Sequence, residues 1–232
     1  MKPLYLLLLA VALSSPKPSG EEQAAAVIAN ARQVLHISAK DLSRLELKGT
    51  SAQNGGPPSS SRVWIKDKKM RLEYRFSDGN QLHFVTNGSK AHKITNGRVE
   101  ELPYPQVEGL VTSMRQTLRQ PGLNLEFANH PDARVLMLSP DTSYQGQPCY
   151  LVGVGFRGTP QFRFLIHRQT YQLLFESNET GSLACENYQP VGPARLPFRT
   201  RTYVKSTATT TIREFELVRI NADIPDSLFE VK

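Results

Sequence analysis

Two stretches of the chain repeat apolar residues at the spacing of an α-helix. The first stripe has its members at positions i, i+3, i+4, i+7 and i+11, and consists of Ala24, Val27, Ile28, Ala31 and Leu35. The second ends at Pro121-Gly122 and consists of Val107, Leu110, Val111, Met114 and Leu118. Such spacing puts the apolar side chains on one side of a helix. Two amphipathic helices are therefore predicted.

Elsewhere the apolar positions alternate with polar ones, which is typical of half-buried strands. The clearest case is the strand at 69–76, whose apolar face consists of Met70, Leu72, Tyr74 and Phe76. Asn87-Gly88 and Asn96-Gly97 predict type I′ hairpins on either side of a short strand. Further strands are predicted at 45–47, 63–65, 133–138, 148–156, 161–167, 171–177, 198–206 and 210–220, with loops at 52–61 and 181–197.

These elements predict an α+β fold that is mainly β. The chain shows no internal repeat and no linker, so residues 23–232 are expected to form one domain. A long twisted antiparallel sheet tends to curl. The two helices would then lay their apolar stripes on the concave face of that strongly curved sheet.

The N-terminus predicts export. Lys2 precedes an apolar run at 4–13, and small residues follow it, which is the pattern of a secretory signal peptide. The run is shorter than the roughly 20 residues needed to span a bilayer. We therefore predict a signal peptide at 1–14, cleaved after Ser14, and a flexible leader at 15–22; an uncleaved membrane anchor is the alternative.

Export changes the interpretation of the two cysteines. Cys149 and Cys185 are the only pair in the chain, and an oxidising compartment permits a disulfide between them. Such a bond would stabilise the fold by about 3–4 kcal/mol in the chain-entropy model. Two separate buried thiols are the alternative.

No motif in the chain indicates catalysis. The nucleophile elbow, the P-loop and the dinucleotide-binding glycines are absent, and none of the five histidines has a metal-binding spacing. The formal net charge is +7, but its basic residues are spread along strands, which keeps a sheet face soluble rather than indicating nucleic-acid binding. We therefore expect a protein that is not an enzyme and has no catalytic residues, metal or cofactor.

Three short motifs, taken in order, resemble a known family. They are the segments VWIK at 63–66 with KMRLEY at 69–74, VTNG at 85–88, and RIN at 219–221 with IPDSLF at 224–229. Together with the order of elements, they resemble the LolA-like family of periplasmic outer-membrane lipoprotein carriers, with the LolA/LolB-type fold. The resemblance implies an incomplete β-barrel with helices as a lid over an apolar cavity.

By that resemblance the protein is a monomeric periplasmic chaperone that carries acyl chains of a lipid or lipoprotein toward the outer membrane. An inner-membrane release complex and an outer-membrane acceptor would be its partners. The residues expected to line the cavity and lid are Val27, Ile28, Ala31, Leu35, Met70, Leu72, Tyr74, Phe76, Leu82, Phe84, Val107, Leu110, Val111, Met114 and Leu118.

One departure from the family concerns gating. Where the family has an Arg-Pro pair whose arginine ties the lid shut, this chain has Lys66-Asp67, so Lys66 is the candidate for lid gating. Lysine keeps the charge but lacks the planar fork of donors. Two alternatives stay open: a non-transport periplasmic lipid-sensing or protein-binding module, and a filled core with no ligand.

Overall fold

The computed structural model describes residues 20–156 and 159–231, without the side chains of Tyr104, Pro105 and Val107. The predicted signal peptide and residues 15–19 of the predicted leader lie outside the described residues. Helix α1 spans Gly20–Leu35, so residues 20–22 belong to a helix and not to a flexible leader. Glu21 and Glu22 lie in its first turn, where acidic side chains interact favourably with the helix dipole.

The second predicted helix is confirmed as α2, Tyr104–Arg119. The chain leaves it through Gly122, whose backbone is left-handed with φ of 94°. A β-carbon at Gly122 would come within 2.6 Å of the Leu35 side chain. Glycine therefore both permits the turn and allows the end of α1 to pack against it. A 3₁₀ segment, Leu123–Asn129, follows.

The thirteen strands of the described residues belong to one antiparallel sheet. They are β1 Arg44–Gln53, β2 Ser59–Lys66, β3 Lys69–Arg75, β4 Gln81–Thr86, β5 Ala91–Thr95, β6 Arg98–Leu102, β7 Ala133–Tyr144, β8 Gln147–Phe156, β9 Thr159–His167, β10 Leu173–Ser177, β11 Gly181–Val191, β12 Ala194–Val204 and β13 Thr209–Ile220. Their order is β6-β5-β4-β3-β2-β1-β13-β12-β11-β10-β9-β8-β7. The sheet is unclosed, with β6 and β7 at its edges, so the predicted mainly β fold is confirmed.

Two turn predictions need correction. The segment 181–197 was expected to be a loop, but it forms all of β11 and the start of β12, and the two strands are joined through Gly192 with φ of 56°. Asn96-Gly97 forms the expected two-residue turn, since both residues have positive φ. Asn87-Gly88 instead belongs to a four-residue connection. In it, the Asn87 side chain accepts hydrogen bonds from the backbone N–H groups of Ser89 and Lys90.

The concave face of the sheet carries two apolar cores. In the first core, apolar side chains of β8–β11 pack with the apolar stripe of α1. These strand residues are Val152, Val154, Phe164, Ile166, Leu173, Leu183 and Cys185. In the other, the side chains beneath α2 include Leu45, Leu47, Val63, Ile65, Met70, Leu72, Leu196 and Phe198. On the convex face, Trp64 packs with Ile224 and Phe229 of the C-terminal segment.

Candidate functional site

The candidate site is the concave face beneath α2. Met70, Leu72 and Tyr74 alternate along β3, and strand register pairs Leu72 with Phe84 and Tyr74 with Leu82 of β4. All five therefore share one face, as expected from the alternation of side chains along a strand. Met70 and Leu72 are buried there, whereas Tyr74, Leu82 and Phe84 are half-buried.

Helix α2 covers this face with its apolar stripe. Val111 and Leu118 are buried in the core beneath the helix, while Leu110 and Met114 are partly buried against it. The side chain of Val107 lies outside the described residues. On the opposite side of the helix, Thr112 and Gln116 are exposed. The amphipathic stripe thus covers the sheet in the way that its spacing predicts.

The remaining predicted cavity residues lie elsewhere. Val27, Ile28 and Ala31 of α1 belong to the second core, and Leu35 contacts both cores. Phe76 follows the end of β3 and is 39% exposed, with its ring centroid 5.0 Å from that of Tyr74. Phe76 is therefore a rim residue and not part of the core. The structure divides the predicted set between two clusters, one beneath α2 and one around α1.

The space beneath α2 is filled by side chains. Val111 and Leu118 are buried in one core with Met70 and Leu72, and the cavity that has the predicted residue Leu35 in its lining measures about 40 Å³. The apolar stripe of α2 therefore lies against the concave face. A ligand in this place would have to displace α2.

A polar contact that the sequence did not reveal ties α2 to the sheet. The Arg115 guanidinium donates a hydrogen bond from Nη2 to the backbone carbonyl of Asp67, in the turn between β2 and β3. Its Nε is buried without a partner, and burial lowers the pKa of the guanidinium although the Asp67 carboxylate opposes this effect. Within residues 20–156 and 159–231, it is the one side-chain hydrogen bond from α2 to a strand or strand turn.

Lys66, the predicted gating residue, makes its polar contacts with the C-terminal segment. Its Nζ donates to the carbonyl of Ile224 at 3.1 Å and lies 3.2 Å from the Asp226 carboxylate. Successive side chains of a strand point to opposite faces. Ile65 faces the core beneath α2, so Lys66 points to the convex face, where the C-terminal segment runs. Lys66 therefore bonds to that segment, whereas Arg115 bonds α2 to the turn between β2 and β3.

The predicted disulfide is also wrong, because Cys149 and Cys185 are both free and buried. Cys149 lies on β8 and Cys185 on β11, with β9 and β10 between them. Three strand spacings amount to about 14 Å along the sheet, whereas a disulfide requires Cα atoms within about 7 Å. Burial raises the pKa of both thiols, most strongly that of Cys185.

A buried carboxylate is the most unusual polar group near the helices. Glu176 of β10 is only 6% exposed and is paired across the sheet with Phe164 and Leu183, which are both core residues. Asn124 donates to its Oε1 at 2.8 Å, while Oε2 is buried without a partner. Burial raises the pKa of Glu176 to about 7, against the lowering effect of the Asn124 hydrogen bond.

Glu176 also lines a polar cavity of about 190 Å³ at the carboxyl end of α2. The other lining residues are Gln120, Asn124, Ser177, Asn178, Thr180, Gly181, Ser182, Leu183, Thr202, Tyr203 and Val204. Its position gives no signal in the sequence, since a glutamate within a strand is ordinarily read as an exposed residue.

Neither a metal centre nor a membrane helix is found in the part of the chain that the structure describes. No group of three or more His, Cys, Asp or Glu side chains is placed to hold a metal ion there. No helix in those residues is long and apolar enough to cross a membrane.

Comparison with known proteins gives matches to solved structures alone. No protein-family model and no curated protein matches the chain. A DUF1329 family protein from Desulfovibrio piger is 11% identical, with a TM-score of 0.49, over 92% of this chain and 98% of that one. A domain described as outer membrane lipoprotein-sorting, from Vibrio parahaemolyticus, is 10% identical, with a TM-score of 0.45, over 87% of this chain and 94% of that one. A LolA superfamily protein from Nitrosomonas europaea is 11% identical, with a TM-score of 0.43, over 90% of this chain and 97% of that one.

Proposed function

We propose that the protein is a periplasmic carrier that binds acyl chains of a lipid or lipoprotein between α2 and the concave face of the sheet, and delivers them toward the outer membrane. The observation that carries this proposal is the way α2 lies on the sheet: an apolar stripe over an apolar face, fastened by Arg115. A carrier needs such a removable apolar cover, because its cargo must be hidden from water and later released.

The attachment of α2 is suited to a lid. Among the described residues, α1 packs closely against β7, β8 and β12, whereas α2 stands farther from the strands and reaches them through its side chains. Lifting α2 would therefore break side-chain contacts and the Arg115 hydrogen bond, and would leave the strand pairing intact.

The energies of opening and binding are comparable. Opening exposes two buried side chains of α2, Val111 and Leu118, and two partly buried ones, Leu110 and Met114. The sheet face that is uncovered in the same step would be covered again by the bound acyl chain, so it cancels in this comparison. At about 1.5–3 kcal/mol for each fully buried side chain, the cost is about 5–9 kcal/mol. Burying an acyl chain of about 16 carbons contributes about 12 kcal/mol, at about 0.8 kcal/mol for each CH₂ group. A long acyl chain can therefore offset the opening of α2, whereas a short one cannot.

A pair of variants on α2 tests this proposal. Leu110→Glu puts a carboxylate where the acyl chain would lie, and Gln116→Glu puts the same group on the exposed side of the helix. We expect saturable uptake of a fluorescent long-chain fatty acid by the native protein and by Gln116→Glu, and loss of uptake in Leu110→Glu. Equal uptake by all three proteins would show that α2 is not part of the binding site.

The filled core supports a second candidate, a non-transport periplasmic lipid-sensing or protein-binding module of the same fold. Such a module would keep α2 in place while a partner binds outside it. If the native protein takes up no fatty acid and α2 shows no faster amide hydrogen exchange when lipid is added, this second function is favoured.

A further inference from the structure

The polar cavity beside Glu176 has the features of a ligand site. It has a volume of about 190 Å³, and Glu176 is the one charged residue among the twelve that line it. In a chain with a formal net charge of +7, this cavity is therefore locally acidic. A carboxylate on the concave face, among core residues, costs free energy unless its oxygens receive hydrogen bonds.

Only one oxygen of Glu176 has a donor. The Asn124 amide donates to Oε1 at 2.8 Å, and no protein group reaches the buried Oε2. A free acceptor of this kind calls for a ligand that donates hydrogen bonds. Because the acceptor belongs to a carboxyl group, a cationic donor fits it better than a neutral one.

The end of α2 adds to the preference for a cation. Gln120 is the residue at the carboxyl end of the helix, and it lines the same cavity. The carboxyl end of a helix carries a partial negative charge of about half an elementary charge. Two independent features, the carboxylate and the helix end, therefore favour positive charge here. Thr202 is paired with Leu183 across the sheet, so its hydroxyl group lies on the same face as Glu176 and lines the same cavity.

We propose that this cavity binds a primary ammonium group, which donates N–H bonds to Glu176 Oε2. If the ammonium group belongs to a lipid, the inference rests on the proposed function. The acyl chains then lie beneath α2, and the ammonium of the lipid head group enters the cavity at the carboxyl end of that helix. A free small amine is the other source of the same chemistry.

The test compares two lysolipids with the same acyl chain, lysophosphatidylethanolamine and lysophosphatidylcholine. Their ammonium groups differ only in that the first has N–H donors and the second has three methyl groups. Ethanolamine alone is the third ligand. Affinities are measured by native mass spectrometry or calorimetry on the native protein, on Glu176→Gln, and on the control variant Glu216→Gln, which changes an exposed strand glutamate.

We expect the native protein and Glu216→Gln to bind the ethanolamine lysolipid at least tenfold more tightly than the choline one, which is the size of effect expected for one hydrogen bond to a charged group. In Glu176→Gln the two affinities should agree within about twofold. Glu176→Asp keeps the carboxylate and should keep part of the preference, which separates loss of charge from damage to the fold.

The outcomes distinguish the two proposals. Equal binding of both lysolipids by the native protein, or an undiminished preference in Glu176→Gln, would overturn the ammonium site while acyl binding stands. If neither lysolipid binds but ethanolamine binds to the native protein and not to Glu176→Gln, the site stands and the carrier function fails. If no amine binds to the native protein, the inference is overturned.

Discussion

Replacing Glu176 by glutamine should remove a pH dependence from the stability of the fold. The carboxyl group has a pKa of about 7 in the folded protein because it is buried, and an ordinary value of 4.5. Between these values the folded protein binds the proton more tightly than the unfolded chain does. The free energy of unfolding therefore falls as pH rises from about 4.5 through 7, and this contribution is fully present only below pH 4.5.

The size of the effect follows from the two pKa values. They differ by about 2.5, and each unit corresponds to 1.36 kcal/mol. The native protein should lose about 3 kcal/mol over this range relative to Glu176→Gln, which has no proton to release. For a domain of this size that loss corresponds to about 6–12 °C in Tm. Cys185 and Tyr188 are the titratable groups that face Glu176, and their raised pKa values keep them neutral below pH 8.

The assay is denaturant unfolding of both proteins at intervals from pH 4.5 to 8, without added ligand. Other groups titrate in both proteins, so the informative quantity is the difference between the two unfolding free energies. We expect that difference to grow in favour of Glu176→Gln as pH rises. Parallel curves would show that Glu176 is hydrated in solution and would refute the reasoning from burial.

Three further changes test other parts of the structure. Arg115→Ala removes the tie between α2 and the Asp67 carbonyl, so amide exchange in α2 should become several-fold faster; unchanged exchange would show that packing alone holds the helix. Lys66→Ala should leave fatty-acid uptake unchanged, since its partners are Ile224 and Asp226, and a loss of uptake would restore it as a gate. Because Cys149 and Cys185 are free, a reductant should leave Tm unchanged, whereas a drop would reveal a disulfide.

Local patterns in the sequence predict much of this fold. The 3.6-residue stripes predict both helices, and the alternation at 69–76 places Met70, Leu72 and Tyr74 on one face. Asn96-Gly97 predicts its turn because the two-residue connection needs positive φ at both positions. In each case the information lies within a few residues of the element that it specifies.

Most of the failures share a physical cause, because they depend on contacts between distant parts of the chain. The glycines and prolines of 181–197 suggest a loop. The segment is nevertheless extended, because apolar side chains of β11 and β12 are buried in the two cores. The partners of Lys66 come from the C-terminal segment, where Ile224 is 158 residues away in sequence. The partners of Arg115 and Glu176 likewise come from other elements, so no local pattern indicates their roles.

The central claim is that α2 covers a site for acyl chains, and native mass spectrometry of the protein purified from its soluble extract tests it most directly. The account predicts adducts with the masses of acyl-bearing lipids, which leave on denaturation and return when a long-chain fatty acid is added to the stripped protein. A single ligand-free mass, unchanged by added fatty acid, would contradict the account and make the filled core the working form of the protein.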